Sequence, residues 1–180
     1  SDSNRVYKTY DEITANSEYL PHAFVAIEDE RFYEHNGIDL QGIIRAAFVG
    51  VSNGFRFSEG ASTLTQQLIK NNVFPDFVNE ETFLDRLERK LQEQYLALEI
   101  EKEMSKEEIL EAYMNTINLG QGCYGVQTAS TRYFNKDVAD LTLSECAVIA
   151  AITQNPTEYD PVVYPESNEK RRAVVLGNML

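Results

Sequence analysis

Apolar positions recur along this chain at spacings of three and four rather than two, a pattern that predicts a succession of helices. Alternating runs rich in Val, Ile and Thr, the mark of half-buried strands, are scarce, so the fold class is expected to be mostly α. Pro21 suits the first turn of a helix that carries Ala23, Phe24, Ile27 and Phe32 and stops at Asn36-Gly37, which places Glu28 on a helix. A second helix is predicted from Asp39 through Ile43, Ile44, Ala47 and Phe48 to Asn53-Gly54, and the patternless stretch 55–60 reads as a mobile loop. Ser62 is placed to cap a short helix over 63–71, followed by a connection at Pro75-Asp76. The longest predicted helix runs from Thr82 to about Met104. Its Leu84, Leu87, Leu91, Tyr95 and Leu98 lie within one apolar stripe, with Arg86, Arg89, Lys90, Glu93 and Ala97 on the opposite face. Two capping boxes, Ser105-x-x-Glu108 and Thr142-x-x-Glu145, mark further helix starts. Between them lies the glycine-punctuated segment 120–125, where positive φ or close backbone approach is expected.

Composition changes this picture little. At 180 residues, 43% hydrophobic and 25% charged, the chain is expected to form a single domain, 1–180. No stretch approaches the roughly 18–20 consecutive apolar residues that a membrane span needs. The pattern is still helical through Arg171, Arg172, Val174 and Leu176 as the chain ends, which suggests a fragment of something longer. The net charge of −13 argues against nucleic acid as a partner, because phosphate backbones are bound through an excess of Lys and Arg. An anionic ligand would need positive charge concentrated locally. Cys123 and Cys146 have neither metal-site nor redox-motif spacing and are expected to be buried free thiols.

Three segments carry candidate chemistry. In Glu28-Asp29-Glu30-Arg31-Phe32, neighbouring helical side chains point about 100° apart, so Glu28 and Asp29 cannot form one carboxylate pair facing one cleft. Taken alone, such a run is more commonly a solvated helix face, and His35 more commonly a cap or packing residue. The segment from Gly60 through Ser62, Thr63, Gln66, Gln67 and Lys70 to Asn71 combines a glycine, a hydroxyl cap and a helix start, which suits an anion as well as it suits a plain capped helix. It lacks P-loop spacing. Arg89-Lys90-x-x-Glu93 reads either as an i,i+4 ion pair worth a few tenths of a kcal/mol or as a cationic patch beside a carboxylate. Two histidines, no H-E-x-x-H and no G-x-S-x-G leave neither a zinc site nor a serine hydrolase elbow.

In this order, these segments resemble the family 51 glycosyltransferases, the peptidoglycan polymerase domains of bifunctional penicillin-binding proteins and monofunctional transglycosylases. The pattern E-D-x-x-F-x-x-H-x-G appears as Glu28, Asp29, Phe32, His35 and Gly37, with Asp39, Arg45 and Ala46 following in place. G-x-S-T-x-x-Q-Q-x-x-K-N appears as Gly60, Ser62, Thr63, Gln66, Gln67, Lys70 and Asn71, and R-K-x-x-E as Arg89, Lys90 and Glu93. Lys106, Ile109, Leu110, Glu111, Tyr113 and Asn115 match a fourth segment, and Leu143, Glu145 and Ala147 through Gln154-Asn155-Pro156 a fifth.

The resemblance implies a lysozyme-like helical globular lobe with a smaller, membrane-facing jaw lobe, the jaw falling at 53–60. It implies polymerisation of lipid II into β-1,4-linked glycan, with inversion at the anomeric carbon and release of undecaprenyl pyrophosphate. Glu28 is then the base and Glu93 the second catalytic glutamate, supporting the donor site. Asp29, Phe32, His35, Ser62, Thr63, Gln66, Gln67, Lys70, Asn71, Arg89 and Lys90 are the expected substrate-binding residues. A divalent cation, Mg²⁺ or Mn²⁺, is the one cofactor expected, with Glu28 and Asp29 as its carboxylate ligands. Expected partners are lipid II, the growing glycan chain, the membrane surface and moenomycin-type inhibitors, at the extracytoplasmic face of the bacterial membrane. An N-terminal anchor and a C-terminal transpeptidase domain are the parts such a fragment would lack. The rival readings are a lysozyme-like lytic enzyme acting on finished glycan and a non-catalytic wall-binding domain, and the cations at Lys70, Arg89 and Lys90 favour synthesis over both.

Overall fold

A computed structural model of the chain describes residues 5–52, 60–74 and 82–180. Among the described residues the regular elements are helices, joined by turns and irregular segments, with one isolated bridge between Asn118 and Tyr124, in agreement with the mostly α expectation. In chain order the helices are α1 (Tyr10–Ile13), α2 (Tyr19–Glu28), α3 (Leu40–Ser52), α4 (Leu64–Val73), α5 (Phe83–Glu103), α6 (Lys106–Thr116), α7 (Val126–Phe134), α8 (Leu143–Ile152) and α9 (Pro165–Asn178), with a 3₁₀ turn at Val138–Asp140. The predicted loop at 55–59 and the connection at Pro75-Asp76 lie outside the described residues. Among the described residues no helix is long and apolar enough to cross a membrane.

The chain divides into two compact units, Ser1–Ile27 with Glu107–Leu180, and Glu28–Lys106. The first is a conventional apolar core. Phe24 of α2 meets Tyr113 of α6 edge-on at 5.4 Å between ring centroids, and Ile109, Leu110, Met114, Ala147, Ile149 and Ile152 are all fully buried. Helix α8 packs along α9. Thr142 and Glu145 form the predicted capping box at the start of α8. The glycine segment turns through positive φ at Gly120, Gln121, Gly122 and Gly125, and at Gly125 an added Cβ would lie 2.7 Å from the Asn115 carbonyl oxygen. Cys123 and Cys146 are buried free thiols, and burial pushes the Cys146 thiol up to about 12.

The second unit holds the three candidate motifs and departs from the sequence reading in two ways. Helix α2 ends at Glu28 rather than at Asn36-Gly37, and 29–36 is a run of turns in which the Phe32 N–H bonds the Asp29 carbonyl at 2.9 Å and the Glu34 N–H bonds that of Arg31 at 2.8 Å. The cap of α4 is Thr63, not Ser62, because Thr63 has the glutamine three residues on that closes a capping box: its hydroxyl accepts from Gln66 N–H while the Gln66 side chain accepts from Thr63 N–H. On α5 the two predicted faces are present, and the structure shows which is inside. An apolar stripe on such a helix ordinarily faces the core, yet Leu84, Leu87, Leu91 and Tyr95 are 72%, 45%, 60% and 63% exposed, while Arg89, Glu93 and Ala97 are buried. The polar face is the inner one because its charges find partners there, and a buried charge is tolerated only on that condition.

Gly37 fixes the approach of the turn to α5. Its φ is +113°, and a Cβ at this position would lie 2.6 Å from the Ala97 carbonyl oxygen. Gly37→Ala is expected to lower stability by about 2–4 kcal/mol, from backbone strain and steric overlap together. Urea unfolding monitored by circular dichroism measures it, and an unchanged midpoint would contradict the close approach.

Candidate active site

Glu28 is the last residue of α2 and is half-buried. Its Oε2 accepts from the Gln67 side-chain amide at 3.1 Å, so α4 reaches this carboxylate from the second motif. One residue on, the chain turns inward. Asp29 is 6% exposed; its carboxylate accepts from His35 Nε2 at 2.8 and 3.0 Å and from the Leu64 N–H at 2.9 Å, the first amide of α4. An anionic side chain at the N-terminus of a helix both satisfies an orphan N–H and meets the positive end of the dipole. His35 Nδ1 accepts from the Gly37 N–H at 3.0 Å, which leaves Nε2 as the protonated nitrogen that donates to Asp29. The Thr63 hydroxyl donates to the Gly37 carbonyl at 2.7 Å. Glu28 and Asp29, adjacent in sequence, thus face different surroundings.

Below this turn lies a second layer of charge. Glu101, near the end of α5, accepts from the Thr65 hydroxyl at 2.7 Å through Oε1 and pairs with Lys106 Nζ at 2.7 Å through Oε2. Lys106 Nζ also donates to the His35 carbonyl at 2.7 Å and stands 4.4 Å from the centre of the Phe32 ring. On the other side of the turn, Arg31 bonds Asp39 at 2.5 Å and Asp39 accepts from the Gly42 N–H at the start of α3. The Arg31 guanidinium, ahead of the other influences, holds the Asp39 carboxyl below its ordinary range.

The third motif lies on α5, which packs along α4. Arg89 is ion-paired to Glu93, the helix partner four residues on, with side chains 10% and 1% exposed. Lys90 stands 3.5 Å from the other Glu93 oxygen and donates to the Ser62 hydroxyl at 2.7 Å; its side chain is 33% exposed. Glu93 therefore sits under both cations and holds them from the inside.

This placement sorts the predicted site residues. Glu28, Gln67, Ser62, Lys70, Asn71 and Lys90 have exposed or half-buried side chains in one compact unit. Phe32, Thr63 and Gln66, expected to bind substrate, are instead 0%, 1% and 2% exposed and spend their contacts on packing and capping. Asp29 and His35 are likewise enclosed and bonded to each other, within the turn that follows Glu28. Arg89 is 9% exposed and occupied by Glu93. Nor do Glu28 and Asp29 fit a divalent cation, because both Asp29 oxygens are engaged inside the fold, and among the described residues no three His, Cys, Asp or Glu groups converge as ligands. Sequence reasoning gave no role to Thr65 and Glu101. A signal existed for Glu101, which continues the four-residue spacing of Arg89, Glu93 and Ala97 along α5.

Comparison with known proteins agrees with the motifs. The family model described as Transglycosylase matches residues 1–180. Penicillin-binding protein 1A of Clostridium perfringens (strain 13 / Type A) is 53% identical over 144 residues, 78% of this chain and 20% of that protein. Penicillin-binding protein 1F of Bacillus subtilis (strain 168) is 46% identical over 157 residues, 87% of this chain and 21% of that protein. Penicillin-binding protein 1A of Clostridium botulinum (strain Langeland / NCTC 10281 / Type F) is 44% identical over 180 residues, 98% of this chain and 20% of that protein. The chain thus spans about a fifth of the length of these relatives. With its three motifs gathered in one compact unit and the family match running from end to end, the chain belongs to the transglycosylase family of the penicillin-binding proteins.

Proposed function

We propose that the chain polymerises lipid II into β-1,4-linked glycan, with Glu28 as the general base. The observation that carries this reading is the half-buried Glu28 carboxylate, bonded to Gln67 of α4, in the same compact unit as the cations of α4 and α5. Glu28 takes the proton of the acceptor's N-acetylglucosamine 4-hydroxyl as that oxygen attacks the anomeric carbon of the donor's N-acetylmuramic acid. The carbon–oxygen bond to undecaprenyl pyrophosphate breaks on the opposite face, so configuration inverts. Gln67 orients the carboxylate by donating to its Oε2.

Negative charge develops on the departing pyrophosphate and calls for preorganised cations. Lys70 and Lys90 supply them directly, with Ser62 and Asn71 beside them. Arg89 supports them from below, because it shares Glu93 with Lys90. Glu93, 1% exposed between two cations, holds the donor site rather than moving protons. A lytic enzyme acting on finished glycan has no pyrophosphate for these cations to meet. A membrane surface fits the exposed apolar residues of this unit: Leu40, Ile44 and Phe48 recur every four residues on α3, and Leu84, Leu87, Leu91 and Tyr95 line one face of α5. The reaction then belongs at the extracytoplasmic face of the membrane, where the lipid-linked donor is presented.

Incubation with lipid II, with and without moenomycin, and separately with isolated cell-wall sacculi, tests the reading. Longer glycan from lipid II, lost on adding moenomycin, is the expected result. Fragments released from sacculi with no polymer from lipid II would overturn it in favour of a lytic enzyme, and no turnover of either would leave a wall-binding domain.

A further inference from the structure

The pair Glu101–Lys106 stands behind the site rather than in it, yet it reaches both supports of Glu28. Lys106 Nζ holds the 29–36 turn by its bond to the His35 carbonyl at 2.7 Å, with the Phe32 ring 4.4 Å from the same ammonium. Glu101 holds α4 by accepting from the Thr65 hydroxyl at 2.7 Å, and the two side chains are joined to each other at 2.7 Å. The turn carries Asp29, the residue next to Glu28, and α4 carries Gln67, whose amide meets the Glu28 carboxylate. A third link joins the same two elements, from Asp29 to the Leu64 N–H.

We propose that Glu101 and Lys106 form a positioning clamp that sets the orientation of the Glu28 carboxylate by fixing, from the end of α5, both the turn that follows it and the helix that supplies its Gln67 contact. The inference rests on Glu28 being the base. The ammonium is the part that cannot be replaced by packing: it donates to a backbone carbonyl and neutralises a carboxylate whose side chain is 6% exposed. Loss of that charge frees the His35 carbonyl and leaves Glu101 with the Thr65 hydroxyl at 2.7 Å and His35 Nδ1 at 3.9 Å but without its ammonium, so the turn and α4 are no longer held in register. Substrate affinity, which depends on Lys70, Lys90 and the apolar surface, is not affected by the clamp. A base displaced by a fraction of an ångström loses rate without losing binding.

Lys106→Cys tests this because the ammonium can be restored chemically. Cys123 and Cys146 are 2% and 1% exposed, whereas the Lys106 side chain is 23% exposed, so 2-bromoethylamine acting on the folded variant rebuilds an aminoethyl-cysteine of lysine length at 106. Lys106→Cys is expected to lower kcat for lipid II about tenfold to a hundredfold with KM and moenomycin affinity within about twofold. Aminoethylation restores kcat, and the neutral product of iodoacetamide does not. Ile69→Val, a core change on α4, serves as the comparison for loss of stability alone. An independent reading comes from the ring nitrogens of His35, resolved by NMR from those of His22, the other histidine of the chain. In the parent these show a protonated Nε2 and a bare Nδ1, and in Lys106→Cys they shift. The clamp is overturned if kcat is unchanged, if iodoacetamide restores it as well, if KM rises in step with the loss, or if the His35 signals stay in place. Should the parent chain fail to polymerise lipid II, the proposed function falls by that result, while the His35 signals still decide whether Lys106 sets the turn.

Discussion

Glu28→Gln is expected to reduce glycan polymerisation by about two to four orders of magnitude, the range lost when a positioned general base is removed. The substitution keeps the shape of the side chain and removes only its capacity to accept the proton. In the parent, Gln67 donates to Glu28 Oε2 at 3.1 Å, and the amide introduced by the substitution can present its carbonyl oxygen to the same donor. Asp29, His35 and Leu64, which fix the following turn, do so through bonds that do not involve the Glu28 side chain. Thermal unfolding and moenomycin affinity are therefore expected to match the parent, so that the loss appears in turnover of lipid II alone. Normal turnover by Glu28→Gln would sink the assignment of the base.

The identity of the three motifs and the helix-rich fold were legible from residue order, and the two capping boxes located the starts of α6 and α8 to within a residue. Depth within the fold was harder to read. The pattern gave α5 an apolar stripe and a polar face, and periodicity alone predicts which residues share a face, not which face is inside. Here Arg89, Glu93 and Glu101 go inward because each meets an opposite charge or a donor: Arg89 with Glu93, Glu101 with Lys106 and Thr65. Partners that lie 36 residues apart, as Thr65 and Glu101 do, leave no trace in local spacing. The second motif shows the same limit. Thr63 and Gln66 look like ligand-binding polar residues in sequence, yet their side chains close a capping box, while Gln67, one residue further round the helix, reaches Glu28. Asp29 and His35 follow suit, since a carboxylate beside a candidate base reads as reactive until its oxygens are found to be committed to a histidine and a helix N-terminus.

The inward turn of Arg89 and Glu93 leads to the second large effect. Glu93→Leu is expected to destabilise the chain by about 3–5 kcal/mol, because it leaves a guanidinium that is 10% exposed without its carboxylate. Lys90 contributes less to that cost: its side chain is 33% exposed and retains the Ser62 hydroxyl at 2.7 Å. The double variant Arg89→Met with Glu93→Leu removes both buried charges and fills similar volume, so it is expected to recover most of the stability lost by the single change. Its activity is not expected to recover, since Lys90 has lost the carboxylate that holds it and the donor site has lost the cation beneath it. Urea unfolding and lipid II turnover of the parent, both single variants and the double variant separate these contributions. A double variant as unstable as Glu93→Leu would show that the cost lies in packing at position 93 rather than in the broken Arg89–Glu93 pair, and a double variant with parental turnover would remove Arg89 and Glu93 from the transfer reaction altogether.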